Sequence, residues 1–379
     1  MDVVSYCKVC SGELLHFELN LYEFPTITSD SRPWPPGRSV ATCKACGLTQ
    51  RILLPEAISS FENVYANYDM FSHAKLASDQ QNFDNNGVFE GRTKKILKFI
   101  QNKLVKSPHS VLDIGSGSGA GLIALAEQFP FASVDGYEPN GGPAERQTAL
   151  PANVSILNQL PEAEKKYDLI TLFHVLEHVD DIFKLFKFIT SALTPAGQVL
   201  IQVPYHVCNP FDFIIADHLW HFSKKSIVSL LEKTNFTVNY IGNELLEKEL
   251  TILAIPATPA KSLIIANETG QEIETIAWLL KYKLYLDSLK KDNLRLAVYG
   301  TGPAGAWTGA ILGDTVVAYV EDDPARVHST FNTKPVLSPL EIDKSVPIVA
   351  AFPDKQARRI AKNNKDLNIL LSSEGLKKS

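Results

Sequence analysis

The segment that most restricts this chain is VLDIGSGSGAG at 111–121. A short apolar strand, SVLDI, runs directly into a glycine-dense turn, and the turn runs into the helix LIALAEQF, stopped at Pro130. A glycine loop between a first strand and a helix brings backbone N–H groups close to a nucleotide-like ligand lying over the strand ends of a parallel sheet. The segments that follow keep the alternation. ASVDGYEP reads as a strand ending at Glu138, YDLITLF at 167–173 as a buried strand, VDDIFKLFKFITSAL as a helix, TPAG as a turn and QVLIQV as a further strand. FTVNYIG and LTILAIPA add two strands, with an antiparallel edge expected. Strands and helices alternating at these lengths argue for a parallel sheet covered on both faces, an α/β fold.

The acid inside the loop decides which ligand suits it. Asp113, Gly115, Gly117 and Gly119 form DxGxGxG. A dinucleotide places a pyrophosphate at such a helix N-terminus, and the Asp113 carboxylate would repel it. A ligand with an ammonium group and no phosphate fits better, and S-adenosylmethionine is one. Glu138 ends the second strand, 25 residues after Asp113, where a carboxylate can accept both ribose hydroxyls. Asn158-Gln159-Leu160 precedes the next long strand, which places Gln159 where an adenine edge is read. Together VLDIGSGSGAG, the acid of YEP and YDLITLFHVLEHVDD resemble the class I S-adenosylmethionine-dependent methyltransferases over about residues 110–257. HVLEH also matches H-x-x-E-H, an inverted zinc-protease motif. It directly follows a buried strand, where methyltransferases place it, and no third ligand is evident nearby. His174 is therefore expected to face cofactor or substrate, with Glu177 and His178 starting the next helix.

Four of the five cysteines form two CxxC pairs, Cys7/Cys10 and Cys43/Cys46, each closely followed by a glycine, Gly12 or Gly47. Two such turns complete a closed tetrahedral thiolate site, the pattern of structural zinc. A redox CxxC belongs beside a βαβ pattern, which is missing from the first 60 residues. Cys208 stands alone.

After the strand QVLIQV the chain runs NPFDFIIADHLWHFSKKSIVSLLEK. Asp217-His218 and His221 sit among aromatic residues. An imidazole in such a pocket is poised near neutral pH for general-base work, and the adjacent Asp217 is expected to orient His218. The competing role is a capping histidine ahead of the helix KKSIVSLLEK.

A second α/β unit begins near residue 258. Residues 271–291 read as a long helix, LRLAVYG as a strand, GTGPAGAWTGAIL as a glycine loop into a helix, VVAYVEDD as a strand, and VPIVAAF and LNILLS as later strands. Gly300-x-Gly302-x-x-Gly305 with Glu321 some 21 residues beyond Gly300 fits a dinucleotide fingerprint, though no catalytic domain follows it.

The full layout resembles the zinc-containing C-methyltransferases of nucleotide-linked 4-keto-deoxysugars. That resemblance implies a zinc-binding module at 1–62, a helical segment at 63–107, a Rossmann-like methyltransferase domain at 108–257 and a C-terminal Rossmann-like domain at 258–379. It implies His218 as base with Asp217 in place of the family's Glu, and a tyrosine ahead of the domain, Tyr68 with Tyr65 as the alternative. His174 or Tyr68 would stabilise an enolate. The GTGPAGAW loop departs from the family's alanine- and lysine-containing loop, which leaves the sugar open. Other readings are an O-methyltransferase on a glycan or small molecule, a nicotinamide-dependent oxidoreductase, or a zinc adaptor.

Composition narrows the partners. The 379 residues carry 37 Lys and Arg against 42 Asp and Glu, a net charge of −5, so the bulk attraction that drives non-specific nucleic-acid binding is missing. No apolar run approaches the ~18 residues of a membrane span, and MDVVSYCKVC has neither the basic nor the apolar region of a secretory signal. The expectation is a cytoplasmic enzyme acting on a small molecule, with no nucleic-acid or membrane partner.

Overall fold

The structure, a computed structural model, describes residues 6–16, 24–35, 39–52, 81–83, 89–139, 150–161, 164–257, 263–265, 268, 270–292 and 294–371. Near the N-terminus, the turn at Cys7–Cys10 leads into β1 (Leu14–His16). A hairpin of β2 (Thr26–Ile27) and β3 (Pro33–Trp34) follows, then β4 (Val40–Cys43) and β5 (Thr49–Arg51). Strands β1, β4 and β5 pair antiparallel. The turn between β4 and β5 closes through Gly47, whose φ of 74° lies in the left-handed region that favours glycine.

The expected helix over 63–107 is corrected in its middle. Residues 53–80 and 84–88 lie outside the described residues, but Gln81–Phe83 (β6) and Phe89–Gly91 (β7) form an antiparallel hairpin. The antiparallel pairing of the two segments, Phe83 opposite Phe89, overrides the helical periodicity read there. Helix α1 (Arg92–Ile100) starts only after Gly91 and buries Thr93, Ile96, Leu97 and Ile100 on one face.

The central sheet contains β8 (Ser110–Ile114), β9 (Ser133–Tyr137), β10 (Val154–Leu157), β11 (Tyr167–Phe173), β12 (Leu193–Pro204), β14 (Phe236–Gly242) and β15 (Glu249–Pro256). Its order is β10-β9-β8-β11-β12-β15-β14, and only β15 runs against the others. The antiparallel pairing expected near the sheet edge is present. TPAG, expected as a turn, is taken into β12, whose register against β11 shifts between Tyr167 and Leu169. Strand β8 is buried along most of its length because helices cover both faces. These helices include α2 (Ala120–Gln128), α3 (Ile182–Ala192) and α4 (Lys224–Lys233). Asp181 caps α3 by accepting from Lys184 N at 2.9 Å, and Ser223 with Ser226 forms a capping box on α4.

Between β12 and α4 the chain makes a buried excursion. It passes through a short 3₁₀ turn at Pro210–Ile214 and ends in β13 (Trp220–His221). Strand β13 leaves the central sheet and pairs antiparallel with β5, as the fourth strand of the N-terminal sheet.

The C-terminal unit opens with α5 (Gln271–Lys291). It continues through β16 (Leu296–Tyr299), α6 (Pro303–Leu312), β17 (Val316–Val320), β18 (Thr330–Phe331), β19 (Lys334–Leu337), β20 (Ile348–Ala350), α7 (Asp354–Asn363) and β21 (Ile369–Leu370). The strand order is β18-β19-β17-β16-β20-β21, with only β18 antiparallel. Trp307 on α6 is buried, packs against Phe24 with ring centroids 5.3 Å apart and tilted by 35°, and donates from Nε1 to Pro25 O at 2.8 Å. The β2–β3 hairpin is thereby fixed to this unit. Among the described residues no helix is long and apolar enough to cross a membrane.

Candidate active site

The glycine loop after β8 is shaped by its own residues. Gly115, Gly117 and Gly119 have φ of 75°, 47° and 88°. A Cβ on Gly115 would sit 2.3 Å from Val175 Cγ2. Asp113 is buried and accepts from Thr171 Oγ1 of β11 at 2.6 Å, which anchors the start of the loop. Glu138, just beyond β9, accepts from Gly117 N at 2.9 Å. The residues fit S-adenosylmethionine: three glycines with positive φ form the loop, carboxylates stand beside it, and no cationic side chain lies within it to call for phosphate. Gln159 is exposed beyond β10.

His174 follows β11 with φ of 54°, a conformation uncommon outside glycine and a sign of stored strain. Its Nδ1 lies 3.1 Å from Glu177 Oε1 and its Nε2 3.1 Å from Glu249 Oε2. Burial and the neighbouring Arg92 guanidinium both oppose a charge on the ring. Glu249 and Glu177 outweigh them and push the pKa up to about 9. Glu177 and His178 lie in a 3₁₀ turn at Leu176–His178 and do not start α3, which begins at Ile182.

The expected Asp217–His218 pair is corrected. Asp217 turns away from the ring of His218: it accepts from Ser29 N at 2.8 Å and Ser29 Oγ at 2.6 Å, and lies 3.4 Å from His178 Nδ1. The carboxylate that holds His218 is Asp212, with Oδ1 2.6 Å from His218 Nδ1 and Oδ2 2.7 Å from His221 Nδ1. The 3₁₀ turn at Pro210–Ile214 makes this possible by folding Asp212 back under both histidines. All three residues are buried. Burial works against a charge on His218, but Asp212 raises its pKa overall; for His221 burial wins and lowers it. Burial would raise Asp212, and the two histidines hold it below the carboxylate range.

His178, assigned above to a helix start, joins this group. Its Nδ1 lies 3.0 Å from Asp217 O, and its ring packs edge-on against His218 with centroids 4.7 Å apart. Its side chain is 16% exposed against 4% for His218, so it is the more accessible imidazole. The H-x-x-E-H string singled His178 out, but its reading as the start of the next helix hid this contact.

Cys7, Cys10, Cys43 and Cys46 converge, with all four Sγ atoms within 4.8 Å of one another. Val9 N and Cys46 N point at Cys7 Sγ and Cys43 Sγ, at 3.4 and 3.5 Å. A Cβ on Gly12 would press on Cys43 Sγ at 2.9 Å and Cys10 Sγ at 3.2 Å. The set is compatible with a four-thiolate metal site. Tyr68 and Tyr65 lie outside the described residues.

A cavity of about 800 Å³ is lined by the loop Gly115–Ser118, by Gly300–Gly305 of the C-terminal unit and by Ser29–Ser31 of the N-terminal hairpin. Phe173 and Phe211, the immediate neighbours of His174 and Asp212, also line it. On the C-terminal wall, Glu321 Oε2 accepts from Thr301 N and Oγ1, and Oε1 accepts from Asp322 N and Asp323 N. Both oxygens of the acid in the dinucleotide fingerprint are thus engaged within the protein.

His174 makes stability depend on pH. Its folded pKa of about 9 stands above the ordinary 6.5. The stabilisation is therefore complete below about pH 6.5 and fades as pH rises through 9. It amounts to on the order of 3 kcal/mol at most. Urea unfolding of His174→Gln across this range should show a flatter pH profile than the parent protein; parallel profiles would remove His174 from the account.

Comparison with known proteins agrees with this geometry. A family model described as a methyltransferase domain matches residues 88–241. Methyltransferase str3 of Strobilurus tenacellus is 32% identical over 116 residues, covering 28% of this chain and 41% of its own length. Trans-aconitate 2-methyltransferase of Escherichia coli O1:K1 / APEC is 23% identical over 132 residues, 34% of this chain and 52% of its own. The chain spans about half or less of these relatives. Among solved structures, the Burkholderia thailandensis 1,6-didemethyltoxoflavin-N1-methyltransferase aligns with a TM-score of 0.41 at 16% identity, covering 58% of this chain and 96% of that one. Residues 88–241, which include the glycine loop and strands β8 to β12, thus match the methyltransferase-domain model.

Proposed function

We propose that this chain transfers a methyl group from S-adenosylmethionine to C3 of a nucleotide-linked 4-keto-deoxysugar, and that Cys7, Cys10, Cys43 and Cys46 hold one structural zinc ion. The observation that carries the reading is the shared cavity, lined by the cofactor loop, the second glycine loop and Phe211, the residue next in sequence to the Asp212 that holds His218. The second loop suits a phosphate-bearing acceptor. Gly302 has open space where a side chain would stand, and Arg326 and Arg359 share its wall.

When bound, S-adenosylmethionine supplies an electrophilic methyl group on a sulfonium. The chain's residues do the rest. Gly115–Gly119 receive the cofactor, and Glu138 and Gln159 stand at the places suited to its ribose and adenine. A C4 ketone makes the C3 proton acidic. His218 removes it, held by Asp212 through Nδ1 so that Nε2 is left to accept. His178, in ring contact and more exposed, passes the proton toward solvent. The enolate oxygen needs a donor, the role given to Tyr68 in this reading, and the charge on His174, whose two nitrogens are held by Glu177 and Glu249, favours the developing anion. The carbanion then takes the methyl group, with proximity and orientation supplying much of the rate.

The test is exchange of the C3 proton into deuterated water, followed by mass analysis after adding cofactor. Wild-type protein should exchange C3 and add one methyl at carbon. His218→Asn should lower exchange by about 10²–10⁴-fold and leave S-adenosylhomocysteine affinity intact. A methyl on oxygen without C3 exchange would replace this reading by O-methylation.

Metal analysis should find about one zinc per chain, lost when Cys7 and Cys46 are both changed to Ser. Metal-free protein that keeps a cooperative fold of its N-terminal sheet would refute the zinc assignment.

A further inference from the structure

The residue that joins the four-cysteine module to the histidine cluster is Arg51. It ends β5 and is 4% exposed. Its guanidinium reaches into the excursion after β12. Nε donates to His218 O at 2.9 Å, and Nη2 to Ile215 O at 2.8 Å and Phe213 O at 3.2 Å. Its backbone N donates to Leu219 O at 2.9 Å. The next residues of the excursion pair directly with β5, Trp220 opposite Gln50 and His221 opposite Thr49. One buried side chain therefore fixes carbonyls on both sides of Asp217 and the carbonyl of His218 itself.

We propose that Arg51 is a positioning residue for the proton-transfer step. Its guanidinium acts on the backbone, through the carbonyls of Phe213, Ile215 and His218. It fixes the backbone from Phe213 to Leu219, and that backbone sets where Asp212 meets the Nδ1 atoms of His218 and His221. A planar guanidinium suits the task, because its donors are fixed in a fork and three carbonyl oxygens converge on it. A lysine has the charge without the fork. The arrangement also assigns the four-cysteine module a part in the chemistry: β5 follows directly from the Cys43–Cys46 turn, so the metal knot orders the strand that carries the clamp. This inference rests on the proposed role of His218, and its test separates the two.

Arg51→Met and Arg51→Lys are prepared as full chains with histidine-selective nitrogen labelling. Long-range proton–nitrogen NMR reads the tautomers of His218 and His221. Zinc content and S-adenosylhomocysteine affinity are measured on the same samples, and C3 exchange is measured on a nucleotide-linked 4-keto-deoxysugar. In Arg51→Met the protonated-Nδ1 pattern of both histidines should be lost and C3 exchange should fall by about 10²-fold in kcat, with zinc content and S-adenosylhomocysteine affinity unchanged. Arg51→Lys should recover part of both. A wild-type histidine spectrum in Arg51→Met overturns the proposal. So does joint loss of zinc, cofactor affinity and the histidine pattern, which would make Arg51 a general folding element. If wild-type protein exchanges no C3 proton, the proposed reaction fails, and the histidine spectra still decide the role of Arg51.

Discussion

The buried histidine cluster depends on how the buried excursion from Tyr205 to Leu219 is held. It has one short turn and no sheet of its own until β13, yet its residues are mostly buried. Buried backbone groups need partners, and a carbonyl left without one costs about 1–3 kcal/mol. The partners come from distant parts of the chain. Arg51 takes three carbonyls, Ser29 takes Asp217, and Ile27 O accepts from Ala216 N at 2.7 Å. The N-terminal module is therefore part of the site's frame. Inside that frame Asp212 accepts from two imidazoles at once and fixes their tautomers.

The two glycine loops use the same physical solution. In each unit an acid just past the second strand takes an amide from the loop that follows the first: Glu138 from Gly117, Glu321 from Thr301. The carboxylate holds the loop open at the strand ends. Both loops line one cavity.

Local features were legible in the sequence. The strand–loop–helix grammar of SVLDIGSGSGAG, the acids at 138 and 321 and the paired cysteines all carry their information within a few residues, and the structure places them at strand ends and in one knot. What could not be read depends on contacts distant in sequence. Asp217 sits next to His218 in the chain, but Ser29, 188 residues away, takes its carboxylate. Asp212 wins instead because the turn at Pro210–Ile214 brings a residue six positions back under the ring. The helical pattern before α1 hid the hairpin of β6 and β7, which exists through pairing between strands. Strand β13 has two residues, too short for periodicity, and exists because β5 offers it an edge.

The central claim is that the loop after β8 receives S-adenosylmethionine. Calorimetric titration with S-adenosylhomocysteine, in the parent protein and in Gly115→Ala, tests it most directly. The added Cβ would meet Val175 Cγ2 at 2.3 Å, at a φ of +75° that disfavours any side chain. The account predicts one S-adenosylhomocysteine per chain in the parent protein and a severe loss of affinity in Gly115→Ala, with the fold retained. No binding to the parent protein, or equal binding by both, would contradict it.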